Sequence, residues 1–295
     1  MEPKVYFVVN VDTDPDPPDT PRNDESVIEK YGIMQDILRE YANAKSIACV
    51  HTSPMYRERF FEKKFMEIWK NWVQEGGELI LHPEEDLYGT PETKQACTSL
   101  YLNNEHMESV IVKSTEIMKK AGLPLGIYKG GYQTITHGIV QILKKVGIGI
   151  DVTCAPNIVW PIKNAYWENA PVSAYYMSED SETIPSDPVD KNQIFEIPFG
   201  WDGIDSETTH NHLLNEHYLV NEFSTHEAMC KVWDVIVERA AQTGNDQYVG
   251  MLCHTYSMME KKYPERLKKT LAYMCDHNGT PSTASEIKRL YDSVL

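Results

Sequence analysis

Short apolar runs and longer amphipathic segments alternate along the chain, and this alternation predicts the secondary structure. The apolar runs are rich in valine and isoleucine, which is typical of strands buried in a parallel sheet. They predict strands over residues 5–11, 46–50, 78–81, 125–128, 148–152, 194–198 and 248–253.

The amphipathic segments carry start and stop signals of helices. Ser26 and Glu29 have capping-box spacing at the head of one apolar stripe, and we expect the helix to begin there. Gly147 follows another stripe directly and is a typical helix end.

Repeated strand–helix units predict an α/β fold. We expect a distorted parallel (β/α) barrel of seven or eight units, formed as a single domain over residues 1–295. Proline, asparagine, serine and aspartate dominate between the later strands. Long loops are therefore expected at about 155–192 and 200–224.

Ionisable residues directly follow most of the predicted strands. They are Asp12, Asp14, His51, His82, Lys129, Asp151, Asp202 and His254. In parallel α/β folds the chemistry lies beyond the carboxyl ends of the strands, so these side chains are expected to meet at one mouth of the barrel.

Two local patterns at these strand ends indicate a metal-dependent site. Asp12 and Asp14 point to the same side of an extended chain, so that one can bind a cation while the other takes a proton. His82 and Asp86 have the i, i+4 spacing that brings two ligands together on a helical turn. Together Asp14, His82 and Asp86 predict a three-ligand site for a divalent metal ion. Simple turn capping by these residues is the alternative.

Composition narrows the class of protein. Asp plus Glu (44) outnumber Lys plus Arg (28), and the formal net charge is −16. This charge would repel phosphate backbones, so no nucleic-acid partner is expected. A hydrophobic content of 41% excludes a disordered chain.

Other features favour a cytoplasmic location. No apolar stretch approaches the roughly 18 residues that a membrane-spanning helix needs, so no membrane insertion is expected. The first residues do not resemble a signal peptide. The six cysteines are scattered without a Cys-x-x-Cys pair, as in proteins of a reducing compartment. The sequence leaves the oligomeric state open, and a homo-oligomer is compatible with it.

Taken in order, these motifs resemble the polysaccharide deacetylase family of metal-dependent hydrolases. The resemblance implies that Asp12 is the catalytic base and that Asp14 is a metal ligand. The segment 76–82 resembles the approach to that family's His-x-x-x-His metal pair, with Asp86 in place of the second histidine. The implied metal is zinc, with iron, manganese or cobalt as alternatives because a second carboxylate makes the site harder.

Later motifs extend the resemblance. Lys129-Gly-Gly-Tyr132 resembles the family's Arg-x-Pro-Tyr motif, whose arginine orients the catalytic carboxylate, with lysine and glycine substituted. Met251-Leu-Cys-His254 resembles its Leu-x-His motif and implies that His254 is the general acid. Substrate-site candidates are Tyr132, Trp201, Asp151 and His51, with Trp160 and Trp167 as further aromatic candidates. A second metal cluster of His210, His212 and His217 is the less favoured interpretation of those histidines.

The implied activity is removal of an acetyl group from an N- or O-acetylated sugar or polysaccharide precursor. A cytoplasmic enzyme would meet precursors of surface polysaccharide or O-antigen before export. Two alternatives stay open. One is a related barrel amidohydrolase that acts on a small non-glycan amide or cyclic ureide. The other is a non-catalytic sugar-binding relative, since the motifs depart from the family at Asp86 and Lys129.

Overall fold

The computed structural model describes residues 2–14, 21–53, 56–84, 98–205 and 215–295. Its strands are β1 (Val5–Asp12), β2 (Ser46–Val50), β3 (Glu78–Leu81), β4 (Ile127–Tyr128), β5 (Ile150–Asp151), β6 (Val159–Trp160), β7 (Ala165–Tyr166), β8 (Tyr175–Tyr176), β9 (Phe195–Glu196), β10 (Gln247–His254) and β11 (Gly279–Pro281). Its helices are α1 (Asp24–Tyr41), α2 (Arg57–Phe60), α3 (Lys63–Gln74), α4 (Asn104–Lys120), α5 (His137–Val146), α6 (His226–Thr243), α7 (Lys262–Asp276) and α8 (Ala284–Val294).

One curled sheet organises these elements. Its strand order is β10-β1-β2-β3-β4-β5-β9-β8, with β11 also paired to β1. Neighbouring strands are parallel except for β8 and β9. Isolated parallel bridges join Phe199 to Gly250 and Val220 to Leu252, which returns the chain after β9 to β10. The predicted distorted parallel barrel is confirmed.

The alternation of side chains along β1 separates two parts of the core. Val9 and Val11 belong to the large cluster that includes helix residues such as Met34. Val8 belongs to a second cluster with strand residues such as Ile47. Asp12 is four residues after Val8, and side chains alternate along a strand. The Asp12 side chain therefore points to the same side of the sheet as Val8 and the second cluster.

Two predicted details differ from the structure. Helix α1 begins before Ser26, because Asn23 is its N-cap and accepts a hydrogen bond from the Ser26 N–H. The predicted loop at 155–192 contains the antiparallel β6–β7 pair and strand β8. Strands of two residues are too short to give a periodic pattern. Helix α5 does end as expected, at Gly147 with φ of 85°.

No helix in the described ranges is long and apolar enough to cross a membrane.

Candidate active site

Strands β1 and β10 place Asp12 opposite His254. The two residues are register partners at the ends of adjacent parallel strands. The His254 Nε2 atom lies 3.5 Å from Asp12 Oδ2. Both side chains line a cavity of about 160 Å³ at this end of the barrel, which we call the central cavity.

Lys129, which follows β4, fixes the Asp12 carboxylate. Its side chain is only 1% exposed, and its ammonium donates a hydrogen bond to Asp12 Oδ2. Burial alone would raise the pKa of Asp12, but the Lys129 ammonium and two neighbouring imidazoles outweigh it and hold that pKa well below its usual range. Asp12 is therefore ionised at neutral pH and can accept a proton.

Glu222 orients His254 from the opposite side. Glu222 Oε2 lies 2.9 Å from His254 Nδ1, while Oε1 accepts bonds from the His254 backbone N–H at 3.1 Å and from the Ser257 hydroxyl at 2.7 Å. Burial opposes a charge on His254, but the carboxylates of Glu222 and Asp12 raise its pKa to about 9. His254 therefore carries its proton at neutral pH.

Glu222 was not among the residues predicted from the sequence. It lies in the 200–224 segment, which carries no helical or strand periodicity. A usable signal exists in retrospect: the apolar run Tyr218-Leu219-Val220 ends two residues before it, and Val220 forms a parallel bridge to Leu252. The run thus resembles a short strand whose end carries a carboxylate.

His82 presents one ring nitrogen for binding. Its Nδ1 lies 2.8 Å from the backbone carbonyl of Lys129, which accepts only if Nδ1 carries the hydrogen. Burial lowers the pKa of His82 to about 4, so the ring is neutral at pH 7. A neutral imidazole with this tautomer leaves the Nε2 lone pair for a cation, as metal-binding histidines require.

Two groups of potential ligand atoms surround His82. The first consists of His51, His82 and Glu84, whose ligand atoms lie within 4.8 Å of one another. The second consists of Asp12, Cys49 and His82 at the same spacing. The second group is the poorer cation site, because the Lys129 ammonium is already bonded to Asp12 and would repel a metal ion.

The described residues fit a divalent metal ion. His51 is fully buried, and among the described residues neither of its ring nitrogens makes a hydrogen bond. Its Nε2 lies 3.3 Å from Asp14 Oδ1. Buried imidazoles beside carboxylates are the donor set that zinc, iron, manganese and cobalt accept. The predicted ligand Asp86 lies outside the described residues.

The rim of the central cavity is aromatic. Tyr132 and Trp160 line it and pack edge to face, with ring centroids 5.8 Å apart. Tyr132 has a positive φ of 54°, and the Lys163 ammonium lies 3.6 Å from its ring centroid. Aromatic rings at the rim of a polar cavity suit the apolar face of a sugar.

Other predicted substrate residues lie away from the cavity lining. Trp201 stacks on Tyr218 with centroids 6.2 Å apart, within a separate apolar cluster. Trp167 is buried and donates its Nε1–H to the Gln133 carbonyl at 2.8 Å. Asp151 is fully buried and pairs in register with Glu196.

The predicted histidine cluster can be described only in part. His217 is bonded to a carboxylate, with Nδ1 2.8 Å from Asp202 Oδ2. His210 and His212 lie outside the described residues. Among the described residues, the groups able to hold a metal ion do not include His217.

The sequence matches no protein-family description and no curated protein. The structure, by contrast, resembles solved structures. A protein from Mycobacterium smegmatis that is assigned to the polysaccharide deacetylases matches with a TM-score of 0.63 at 12% identity, over 100% of this chain and 93% of that one. A second protein so assigned, from Pseudomonas aeruginosa PAO1, has a TM-score of 0.57 at 11% identity, over 99% of this chain and 92% of that one.

A Puue allantoinase is similar to the same degree, with a TM-score of 0.58 at 12% identity over 99% of this chain and 91% of that one. Identities this low show the fold and not the reaction. The fold found in solved polysaccharide deacetylases is thus also the fold of this chain, as its motifs predicted.

Proposed function

We propose that this protein is a metal-dependent hydrolase that removes an acetyl group from an acetylated sugar or polysaccharide precursor. The observation that carries the proposal is the placement of Asp12 between the Lys129 ammonium and the His254 imidazole, beside the metal-binding face of His82. An ionised carboxylate and a protonated imidazole side by side at one cavity are a base and an acid in the required forms.

Each side chain has a distinct task in this proposal. Asp12, held in place by Lys129, takes a proton from the attacking water. His254, held by Glu222 through Nδ1, donates a proton from Nε2 to the leaving nitrogen or oxygen of the sugar. The products are acetate and the free amine or alcohol. When bound, a divalent cation supplies a Lewis acid that polarises the acyl carbonyl and lowers the pKa of water towards neutrality.

The proposal also covers the substrate and its setting. The aromatic rim of Tyr132 and Trp160 suits a sugar ring, and the deacetylase-like fold of the neighbours supports an acetylated glycan. Precursors of surface polysaccharide or O-antigen are the substrates we propose for a cytoplasmic enzyme.

The test is release of acetate by the metal-loaded protein. Chitooligosaccharides and nucleotide-linked N-acetylhexosamines are incubated with the wild type and with Asp12→Asn, His82→Ala and Asp202→Asn. Asp12→Asn is expected to lose at least about 100-fold in turnover while it retains the metal. His82→Ala should lose both turnover and the metal ion, whereas Asp202→Asn should keep both. Wild-type activity in Asp12→Asn would exclude Asp12 as the base.

A second candidate function is hydrolysis of a small cyclic ureide or another non-glycan amide. The cavity volume of about 160 Å³ favours it, because this is small beside the roughly 300–1,000 Å³ of typical ligand pockets. The similarity to an allantoinase supports the same class of substrate. Turnover of cyclic ureides without acetate release would select this candidate. Stoichiometric sugar binding without either reaction would instead indicate a non-catalytic relative.

A further inference from the structure

His51 is a buried polar residue beside the Asp14 carboxylate. It directly follows β2, is fully buried, and neither ring nitrogen makes a hydrogen bond among the described residues. Leaving such a group without a partner costs about 1–3 kcal/mol. Buried polar groups of folded proteins almost always have a partner, so this exception requires an explanation.

The aromatic contacts of His51 explain where its ring lies but not its chemistry. The ring stacks on Phe60 at 5.4 Å with an interplanar angle of 20°. A phenylalanine or leucine would fill that position without burying two polar atoms. The packing therefore fixes the direction in which the imidazole points, while leaving its nitrogens to serve another purpose.

The nitrogens of His51 face ligand-type atoms from two neighbouring strands. Nε2 lies 3.3 Å from Asp14 Oδ1, just beyond the end of β1. The centroids of the His51 and His82 rings lie 5.1 Å apart, and one ligand atom each from His51, His82 and Glu84 lies within 4.8 Å of the others. His51 thus connects the Asp14 carboxylate with the His82–Glu84 pair.

We propose that His51 is a metal ligand and supplies the second imidazole of the metal site, together with His82 and the carboxylates of Asp14 and Glu84. This inference rests on the proposed function, because it concerns the ion which that function requires. It also accounts for Asp86: a second histidine is not needed after His82 when β2 delivers one from the adjacent strand. Two imidazoles with carboxylates form a borderline donor set that suits zinc or divalent iron, manganese and cobalt.

Metal affinity of the apoprotein tests the assignment without reference to activity. Protein stripped with a chelator is titrated with Zn²⁺ against a chromophoric competitor, and with Co²⁺ by its visible absorption. The variants are His51→Phe, which keeps an aromatic ring against Phe60, His82→Ala, and His217→Phe as a matched histidine that is bonded to a carboxylate elsewhere. Circular dichroism melts establish that each variant is folded.

We expect the wild type to bind one ion per chain and His217→Phe to match it. His51→Phe should weaken zinc binding by at least about 100-fold, beyond the loss that removal of a mere supporting residue causes. If His82→Ala loses the metal while His51→Phe retains the wild-type affinity, the assignment of His51 is wrong and the proposed function stands. If the wild type itself binds no ion, both fail.

A second measurement uses the wild type alone and decides the matter even if His51→Phe does not fold. X-ray absorption of the zinc-loaded protein counts imidazole ligands through their multiple-scattering signal. Two imidazoles are expected. One imidazole would assign the remaining positions to oxygen ligands and would overturn the inference.

Discussion

Glu222 and His254 form a carboxylate–imidazole pair, with Glu222 Oε2 2.9 Å from His254 Nδ1. Only 2% of the Glu222 side chain is exposed, so its charge acts on the imidazole with little screening by solvent. This relationship determines the protonation state of His254 and therefore the pH range in which it can act as an acid.

Replacement of Glu222 should move the alkaline limb of the pH–rate profile. His254 has a pKa raised to about 9, so it donates a proton below that pH and loses this ability above it. In Glu222→Gln the carboxylate that raises the His254 pKa is absent, and burial then lowers that pKa. We therefore expect the alkaline limb to move down by roughly 1–3 pH units. The profile of kcat/KM against pH measures this. Asp202→Asn, which alters the His217 pair, is the matched control, and an unmoved limb in Glu222→Gln would contradict the assignment.

Removal of Lys129 should destabilise the fold as well as the site. Lys129→Met leaves the Asp12 carboxylate buried beside no ammonium, and loss of one partner of a buried ion pair costs about 3–5 kcal/mol. Urea unfolding of the apoprotein measures the change in the free energy of unfolding. The double variant Lys129→Met/Asp12→Asn should recover part of the loss, because neither charge is then buried alone. A change below about 1 kcal/mol in the single variant would argue against the ion pair.

The buried carboxyl pair Asp151–Glu196 should make stability fall towards alkaline pH. Burial raises the pKa of both groups, and in Glu196 the charge of Asp151 raises it further, well above the ordinary value. The folded protein therefore holds a proton that the unfolded chain releases above its own carboxyl pKa. The stabilisation is complete below that pKa and is lost as pH rises towards the folded value, with a slope of up to about 1.4 kcal/mol per pH unit.

Glu196→Gln removes this titrating group and should flatten the dependence. Unfolding free energies between pH 5 and 9 provide the comparison, with the exposed Glu179→Gln as control. Parallel curves for the wild type and Glu196→Gln would show that the pair does not hold the extra proton.

A side chain at Gly131 should displace Glu84, one of the proposed metal ligands. An added Cβ would lie 2.6 Å from the Tyr101 hydroxyl oxygen and 2.7 Å from Glu84 Cγ, so one of them must move. We expect Gly131→Ala to cost about 1–3 kcal/mol of stability and to weaken zinc binding by displacing Glu84. Gly149→Ala meets nothing within 4 Å and serves as control. Wild-type stability and zinc affinity in Gly131→Ala would contradict this role for the glycine.

Much of the barrel could be predicted because its buried strands are continuous apolar runs. Strands β2 and β3 have the predicted bounds, whereas β4, β5 and β9 are shorter than their apolar runs. Backbone pairing, which defines a strand, depends on the neighbouring chain as well as on the hydrophobicity of its own residues. Because pairing depends on the neighbouring chain, the sequence did not predict the short strands between residues 155 and 192.

The sequence predicted those residues of the site that lie at the ends of recognisable strands. Five of the predicted residues do line one cavity: Asp12, Asp14, His82, Lys129 and His254. Asp151 also ends a strand, yet its side chain pairs with Glu196 in the interior. Period-two alternation gives the face of a residue but not the register between strands far apart in sequence. For the same reason the sequence could not show that His51 would lie beside His82.

Lys129 joins two tasks through different ends of one residue. Its backbone carbonyl sets the tautomer of His82, and its ammonium holds Asp12. Any residue at position 129 supplies a backbone carbonyl. Exchange of the Lys129 side chain would therefore change the pKa of Asp12, while His82 keeps its hydrogen at Nδ1. An insertion or deletion in the loop after β4 would instead displace both the carbonyl that contacts His82 and the ammonium that contacts Asp12. Redesign of the proposed hydrolase for other acyl groups should therefore vary the chemistry at position 129 and preserve the length of its loop.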